Sequence, residues 1–236
     1  MCASEQDIAE GIMDISPIAY IRTEFSEKFG VPRQSGLAVS LRGTIVFVPE
    51  YRNPDAVRGL DGFSHIWLIW GFSANRHADW QPVVRPPRLG GNDRMGVFAT
   101  RSPYRPNPLG LSCVEVEGID MDSHDAPVIH VRGADLMDGT PIYDIKPYIK
   151  YADSRPQAVC GYVDFLEDRR LRVEFSDTAA SFLEGKELLG ALTETLGLDP
   201  RPSYHNDSER EYGLSFSGYN VRFKVNDDTV TVISVE

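Results

Sequence analysis

Apolar residues in the first two thirds of the chain come in short runs between turns, with no long helical stripe. The runs predict strands at Ile12–Arg22, Thr44–Val48, Phe63–Phe72, Met95–Thr100, Leu111–Glu117, Val128–Arg132 and Ile142–Asp144. Val114-Glu115-Val116-Glu117 and Val128-Ile129-His130-Val131-Arg132 alternate strictly, the signature of strands with one wet face. Phe63–Phe72 is almost wholly apolar, which predicts a strand covered on both sides. Many short strands and few helices point to a barrel or sandwich.

The pattern changes near Ala152–Pro156. A strand at Leu171–Phe175 precedes one helix, capped by Ser176 or Asp177, with a stripe of Phe182, Leu189, Leu192 and Leu196 and a stop at Gly197. Strands at Asn220–Val225 and Thr229–Val235 follow. The expected organisation is a mainly β domain over residues 1–155 and a small α+β domain over 156–236.

Charge first argues against nucleic acid. The 236 residues carry 24 basic and 35 acidic side chains, a net charge of −11. The distribution changes that picture. Residues 76–110 hold six arginines (Arg76, Arg85, Arg88, Arg94, Arg101 and Arg105) against Asp79 and Asp93, a local balance of +4. Six of the 16 prolines stiffen the same stretch. Rigid, arginine-rich loops suit holding an anion. Residues 161–236 carry eight basic and fifteen acidic residues, or −7, so the acid excess sits elsewhere.

The usual cofactor signatures are absent. There is no Gly-x-Gly, which excludes a Rossmann fingerprint, and Gly90-Gly91 reads as a turn. His65, His77, His124, His130 and His205 have no metal spacing, and no metal is expected. Cys2, Cys113 and Cys160 form no pair, and Cys113 reads as a small core residue; a reducing cytoplasm is expected. Neither a secretory signal nor a membrane span is expected, since the longest apolar run is Ile66–Phe72.

Two segments carry candidate chemistry. Arg101–Ser112 packs three prolines, two arginines and Asn107 between strands, and reads as a rigid surface loop or as an anion site. Gly133–Tyr148 places Asp135, Asp138, Asp144 and Lys146 within twelve residues near a strand end. These are solvated turn residues, or the polar rim of a pocket whose carboxylates take hydrogen bonds from an amine or a ribose.

These segments also carry a resemblance. Lys28–Gln34, Ala56–Leu60, Phe63–Trp67, Val84–Asn92, Met95–Ser102, Arg105–Gly110 and Asp138–Tyr148 closely resemble the bacterial tRNA (N6-threonylcarbamoyladenosine-37-N6)-methyltransferase family. Asp199–Tyr204 and Tyr219–Phe223 give a weaker echo. The resemblance implies a single-sheet β-barrel, a homodimer, S-adenosyl-L-methionine as cofactor and a tRNA anticodon loop as partner. It implies cofactor binding by Gln34, Phe72, Ser73, Arg101, Leu111, Gly133, Ala134, Asp135 and Leu136. The implied reaction methylates the exocyclic nitrogen of a modified adenosine, with Asn107 orienting the amine and Asp138 or Asp144 as alternatives. Arg33, Arg85, Arg88, Arg105 and Lys146 would meet RNA, and Tyr104 would stack on a base. A cofactor- or RNA-binding module without catalysis, and a methyltransferase for another substrate, are the rival readings.

Overall fold

The computed structural model describes residues 14–75, 79–89, 93–166, 169–202 and 207–236. Cys2, the start of the Ile12 strand, Arg76, His77, Gly90, Gly91, Tyr204, His205 and the side chain of Arg88 lie outside the described residues. Among the described residues, no helix is long and apolar enough to cross a membrane.

The N-terminal strands are β1 (Ala19–Thr23), β2 (Arg42–Phe47), β3 (His65–Gly71), β4 (Val83–Val84), β5 (Met95–Gly96), β6 (Leu109–Asp120), β7 (Val128–Arg132) and β8 (Thr140–Pro147). Six of them close an antiparallel barrel in the order β1-β2-β7-β6-β3-β8, and β4 and β5 form a separate two-stranded sheet. The barrel expectation is therefore met by a single closed sheet. Closure joins β1 to β8 through Ala19↔Ile142 and Ile21↔Thr140. Alternation fills the barrel. Ala19, Ile21, Ile45, Ile66, Leu68, Val114, Ile129, Val131 and Ile142 point inward and are buried. Each of the isoleucine, leucine and valine side chains contributes roughly 1.5–3 kcal/mol by leaving water.

Several strand expectations need correcting. β1 starts at Ala19, not Ile12, because Pro17 has no N–H to give a ladder. β3 starts at His65 and is not covered on both sides: Ile66 and Leu68 are buried, while Trp67 and Ile69 are half-buried. The segment after β8 covers its outer face only in part, where Trp67 Nε1 donates to Asp153 Oδ2 at 3.1 Å. The expected Met95–Thr100 strand stops at Gly96. Residues Val97–Ala99 form a 3-10 turn, closed by Thr100 N–H on the Val97 carbonyl at 3.1 Å. Cys113 is half-buried rather than a core residue.

The C-terminal part begins after a single helical turn, α1 (Lys150–Asp153), and a 3-10 turn over Gly161–Phe165. It comprises β9 (Arg172–Phe175), α2 (Asp177–Leu183), α3 (Leu188–Gly197), β10 (Tyr212–Phe216), β11 (Tyr219–Asn226) and β12 (Thr229–Val235). The sheet runs β10-β11-β12-β9, with β9 parallel to β12. The single expected helix is two. Ser176 caps the first through the Ala179 N–H at 3.2 Å. Gly185, with φ of 73°, cannot continue a right-handed helix and separates them. Gly197 is the last helical residue rather than the stop; the left-handed turn falls at Asp199, with φ of 51°.

The two cores are not built from separate stretches of chain. The long β1–β2 connection, residues 24–41, leaves the barrel and buries Phe25, Ala38 and Leu41 among Leu214, Phe216, Phe223 and Leu196. Phe25 meets Phe216 edge-on at 5.4 Å between ring centres. Ser40 adds polar anchors, its N–H and Oγ donating to the Glu194 carboxylate at 2.9 and 2.7 Å. A barrel connection is thus held by the C-terminal core. Phe25→Ala is expected to cost about 3–5 kcal/mol in urea unfolding. Hydrogen exchange should locate the loss in β10–β12 before β2 and β7. Unchanged protection of β10–β12 would refute the shared core.

Candidate functional site

A cleft of about 440 Å³ opens where the β1–β2 connection, the arginine-rich loop and the β7–β8 turn meet the barrel end. Its apolar side comes from the strands. Trp70 is next to last in β3, and Phe72 just beyond the strand meets it edge-on at 4.5 Å between ring centres. Leu109, Gly110 and Leu111 of β6 continue that side. A Cβ on Gly110 would lie 2.2 Å from the Trp70 ring, so only glycine lets the indole lie flat on β6. The Phe72 N–H donates to the Pro108 carbonyl at 3.1 Å, which ties the proline loop to this wall.

The polar side centres on Asp135. Its carboxylate accepts from Ser112 Oγ at 2.6 Å and from the Ser35 backbone N–H. Burial pushes its pKa above the usual carboxylate value; the Ser112 hydrogen bond, its own backbone N–H, the Arg101 charge and the Ser35 N–H oppose that rise without cancelling it. The β1–β2 connection reaches this point because Gly133 turns there with φ of 71°. The Gly36 N–H donates to the Gly133 carbonyl at 2.9 Å. Gly36 backbone atoms pass 3.3 Å from where a Gly133 Cβ would stand. Across the cleft, Arg101 donates to Gln34 Oε1 and joins the two loops.

Of the nine expected cofactor residues, Gln34, Phe72, Ser73, Arg101, Leu111, Asp135 and Leu136 line this one cleft. Gly133 acts beside it through the backbone turn, and Ala134 is buried in the barrel core. Arg33 and Arg105, expected to meet RNA, also line it. Arg105 braces its own loop, donating to the Val97 and Thr100 carbonyls at 3.3 and 2.7 Å. With Lys28 and Arg101 they make four cations, against Asp135 as the one carboxylate among the described lining residues.

The remaining expected residues lie outside the lining. Asn107 stands in the loop entering β6, its carbonyl accepting the Leu109 N–H at 2.7 Å. Asp138 staples β1 to the β7–β8 turn, accepting from Thr23 N–H at 3.2 Å and facing Arg22 at 3.4 Å. Asp144 pairs with Lys146 at 2.8 Å and takes the Ile145 N–H at 2.9 Å. Tyr104 and Arg85 are exposed on the arginine-rich loop. The sequence reading missed Lys28, Trp70, Thr100, Gly110, Ser112 and Thr140. One signal was available: Ser112 shares its strand parity with buried Val114, a polar residue on an apolar face.

The cleft's wall and carboxylate suit a cationic ligand carrying a flat ring, and comparison with known proteins gives that chemistry a lineage. Residues 20–154 match the family model of the tRNA-methyltransferase O N-terminal domain, and residues 168–236 match that of its C-terminal domain. The chain is 41% identical over 226 residues to the Escherichia coli K12 protein named tRNA (adenine(37)-N6)-methyltransferase, covering 93% of this chain and 96% of that one. It is 39% identical over 229 residues to a Pseudomonas aeruginosa protein named putative S-adenosylmethionine-dependent methyltransferase RcsF, covering 94% and 96%. The crystal structure of TrmO from Pseudomonas aeruginosa superposes with a TM-score of 0.77 at 33% identity, covering 95% of this chain and 97% of that one. With both domain models matched and the barrel shared, the chain belongs to the tRNA-methyltransferase O family.

Proposed function

We propose that the protein is an S-adenosyl-L-methionine-dependent methyltransferase acting on N6 of adenosine 37 in tRNA, with the threonylcarbamoyl form of that nucleoside as substrate. The observation that carries this reading is the half-buried Asp135 carboxylate facing an aromatic wall inside a mouth of cations. When bound, the cofactor supplies an electrophilic methyl group. It is itself cationic, so one carboxylate and an aromatic side fit it, while four cations do not. Lys28, Arg33, Arg101 and Arg105 therefore have a second partner in this reading, the phosphates of an anticodon loop.

Each part of the chain then has a task. Trp70, Phe72 and Leu111 take the adenine ring, and Gln34, Ser73, Leu136 and the Gly133–Ala134 turn frame the rest of the cofactor. The closed barrel excludes water from one side. Asn107 orients the attacking amine from the loop ahead of Leu109. Asp138 and Asp144 support the β7–β8 segment through the contacts they already make. Arg85, Arg88 and Lys146 extend the cationic rim, and Tyr104 offers a ring to an unstacked base. Alignment of the amine with the methyl group supplies most of the rate, so no strong base is required. The reading includes a homodimer working in the cytoplasm on threonine tRNA, and it keeps the division into residues 1–155 and 156–236.

The deciding assay uses purified protein, methyl-labelled cofactor, and threonine tRNA with or without its threonylcarbamoyl group. Label should appear on the modified tRNA alone. No label on either tRNA sinks the catalytic reading and leaves a binding module; label on the unmodified tRNA changes the substrate. Arg33→Ala should weaken tRNA binding and reduce the log-affinity versus log-salt slope by about 1. An unchanged slope would remove Arg33 from the phosphate contacts. Gly110→Ala should displace the Trp70 ring and weaken cofactor binding by about tenfold or more, equivalent to about 1.4 kcal/mol, by titration calorimetry. Unaltered affinity would mean the ring does not form the cofactor wall.

A further inference from the structure

Ser112 is 1% exposed, a hydroxyl on a strand face otherwise turned to the barrel core. Two hydrogen bonds meet on it. Trp70 Nε1 donates to Ser112 Oγ at 2.9 Å, and Ser112 Oγ lies 2.6 Å from Asp135 Oδ1. An indole N–H can only donate. It occupies a lone pair of the hydroxyl and turns the hydroxyl proton toward the carboxylate. The chain from Trp70 through Ser112 to Asp135 therefore has one direction. It ends in a donor that favours the charged form of the acid.

We propose that Trp70 and Ser112 are positioning residues that keep Asp135 ionised and aimed into the cleft, ready for the cationic groups of the cofactor. This rests on the reading of the cleft as the cofactor site. The need for such a relay follows from the surroundings. Burial favours the neutral acid, and a neutral acid would lose its attraction for a cation. The Ser112 hydrogen bond is the largest of the influences opposing that shift. The other groups around Asp135 do not replace it. Arg101 and Arg105 come from the arginine-rich loop, and Lys28 and Arg33 from the β1–β2 connection. Lys28 and Arg101 are exposed at the rim, where water and salt screen them. Arg101 is engaged with Gln34, and Arg105 with backbone carbonyls. Cys113, next along β6, has its thiol pushed up by burial and stays neutral. The backbone N–H groups of Asp135 and Ser35 also support the carboxylate, each less than the Ser112 hydroxyl does, and the Ser35 hydroxyl is taken up in accepting the Cys113 N–H at 3.2 Å.

Cofactor affinity measured by calorimetry from about pH 4.5 to 8 tests this. In the wild type, affinity should be level near neutrality and fall on the acid side as Asp135 takes a proton. In Ser112→Ala the acid limb should move to higher pH by about one unit, the size expected when one charge-assisted hydrogen bond is lost. Trp70→Phe keeps the ring and should shift the limb in the same direction by less. Ser112→Thr, which keeps the hydroxyl, should restore it. Asp135→Asn should bind weakly and lose the limb altogether. An unshifted limb in Ser112→Ala, with Asp135→Asn impaired, overturns the relay. Wild-type affinity in Asp135→Asn overturns the cofactor reading of the cleft instead. Should Ser112→Ala not fold, Trp70→Phe decides: an unshifted limb there overturns the proposal.

Discussion

The cleft depends on one packing event, the burial of Phe25, Ala38 and Leu41 in the C-terminal core. Those three side chains fix both ends of the β1–β2 connection. The residues between them then have little choice of path. Gln34, Ser35 and Gly36 are delivered to the Gly133 turn, where Ser35 supports Asp135 and Gln34 meets Arg101. A floating loop of this length would lose too much entropy on ordering to hold such contacts alone. The C-terminal sheet is therefore a scaffold for the site, although none of its strands lines the cleft.

Electrostatics divides along the same geometry. The acidic surplus lies over the chain as a whole, while the cleft gathers Lys28, Arg33, Arg101 and Arg105 around Asp135. Net charge governs bulk attraction, and a local patch governs where an anion settles. A protein of net charge −11 with such a mouth would grip a polyanion weakly, at one place, and with strong dependence on salt.

Much of the barrel was legible because its strands obey a two-residue rhythm. Val128–Arg132 and Thr229–Val235 match the expected limits to the residue. β10 was missed because Gly213 and Ser215 interrupt a run whose inward residues, Tyr212, Leu214 and Phe216, are all buried. The helix was misjudged because one stripe of leucines continues across Gly185, and hydrophobic spacing does not register a reversed φ. In the site, the family resemblance named seven of the lining residues, and charge alone singled out Arg101 and Arg105. Trp70, Gly110 and Ser112 escaped because their importance is relational. An indole needs a glycine beneath it and a hydroxyl at its edge, and these partners lie about forty residues away across a strand pair. The insertion of the β1–β2 connection had no local signal at all.

That insertion also sets an order of events during synthesis. β1 cannot complete its ladder until β8 has been made, and Phe25 has no permanent neighbours until β10 to β12 appear. A growing chain must carry three apolar side chains from its first fifth, unsheltered, to its last residues. Contacts so distant in sequence close slowly. The cleft is consequently the last part of the molecule to exist, and a chain stopped short by even its final hairpin would own a barrel without a finished cleft.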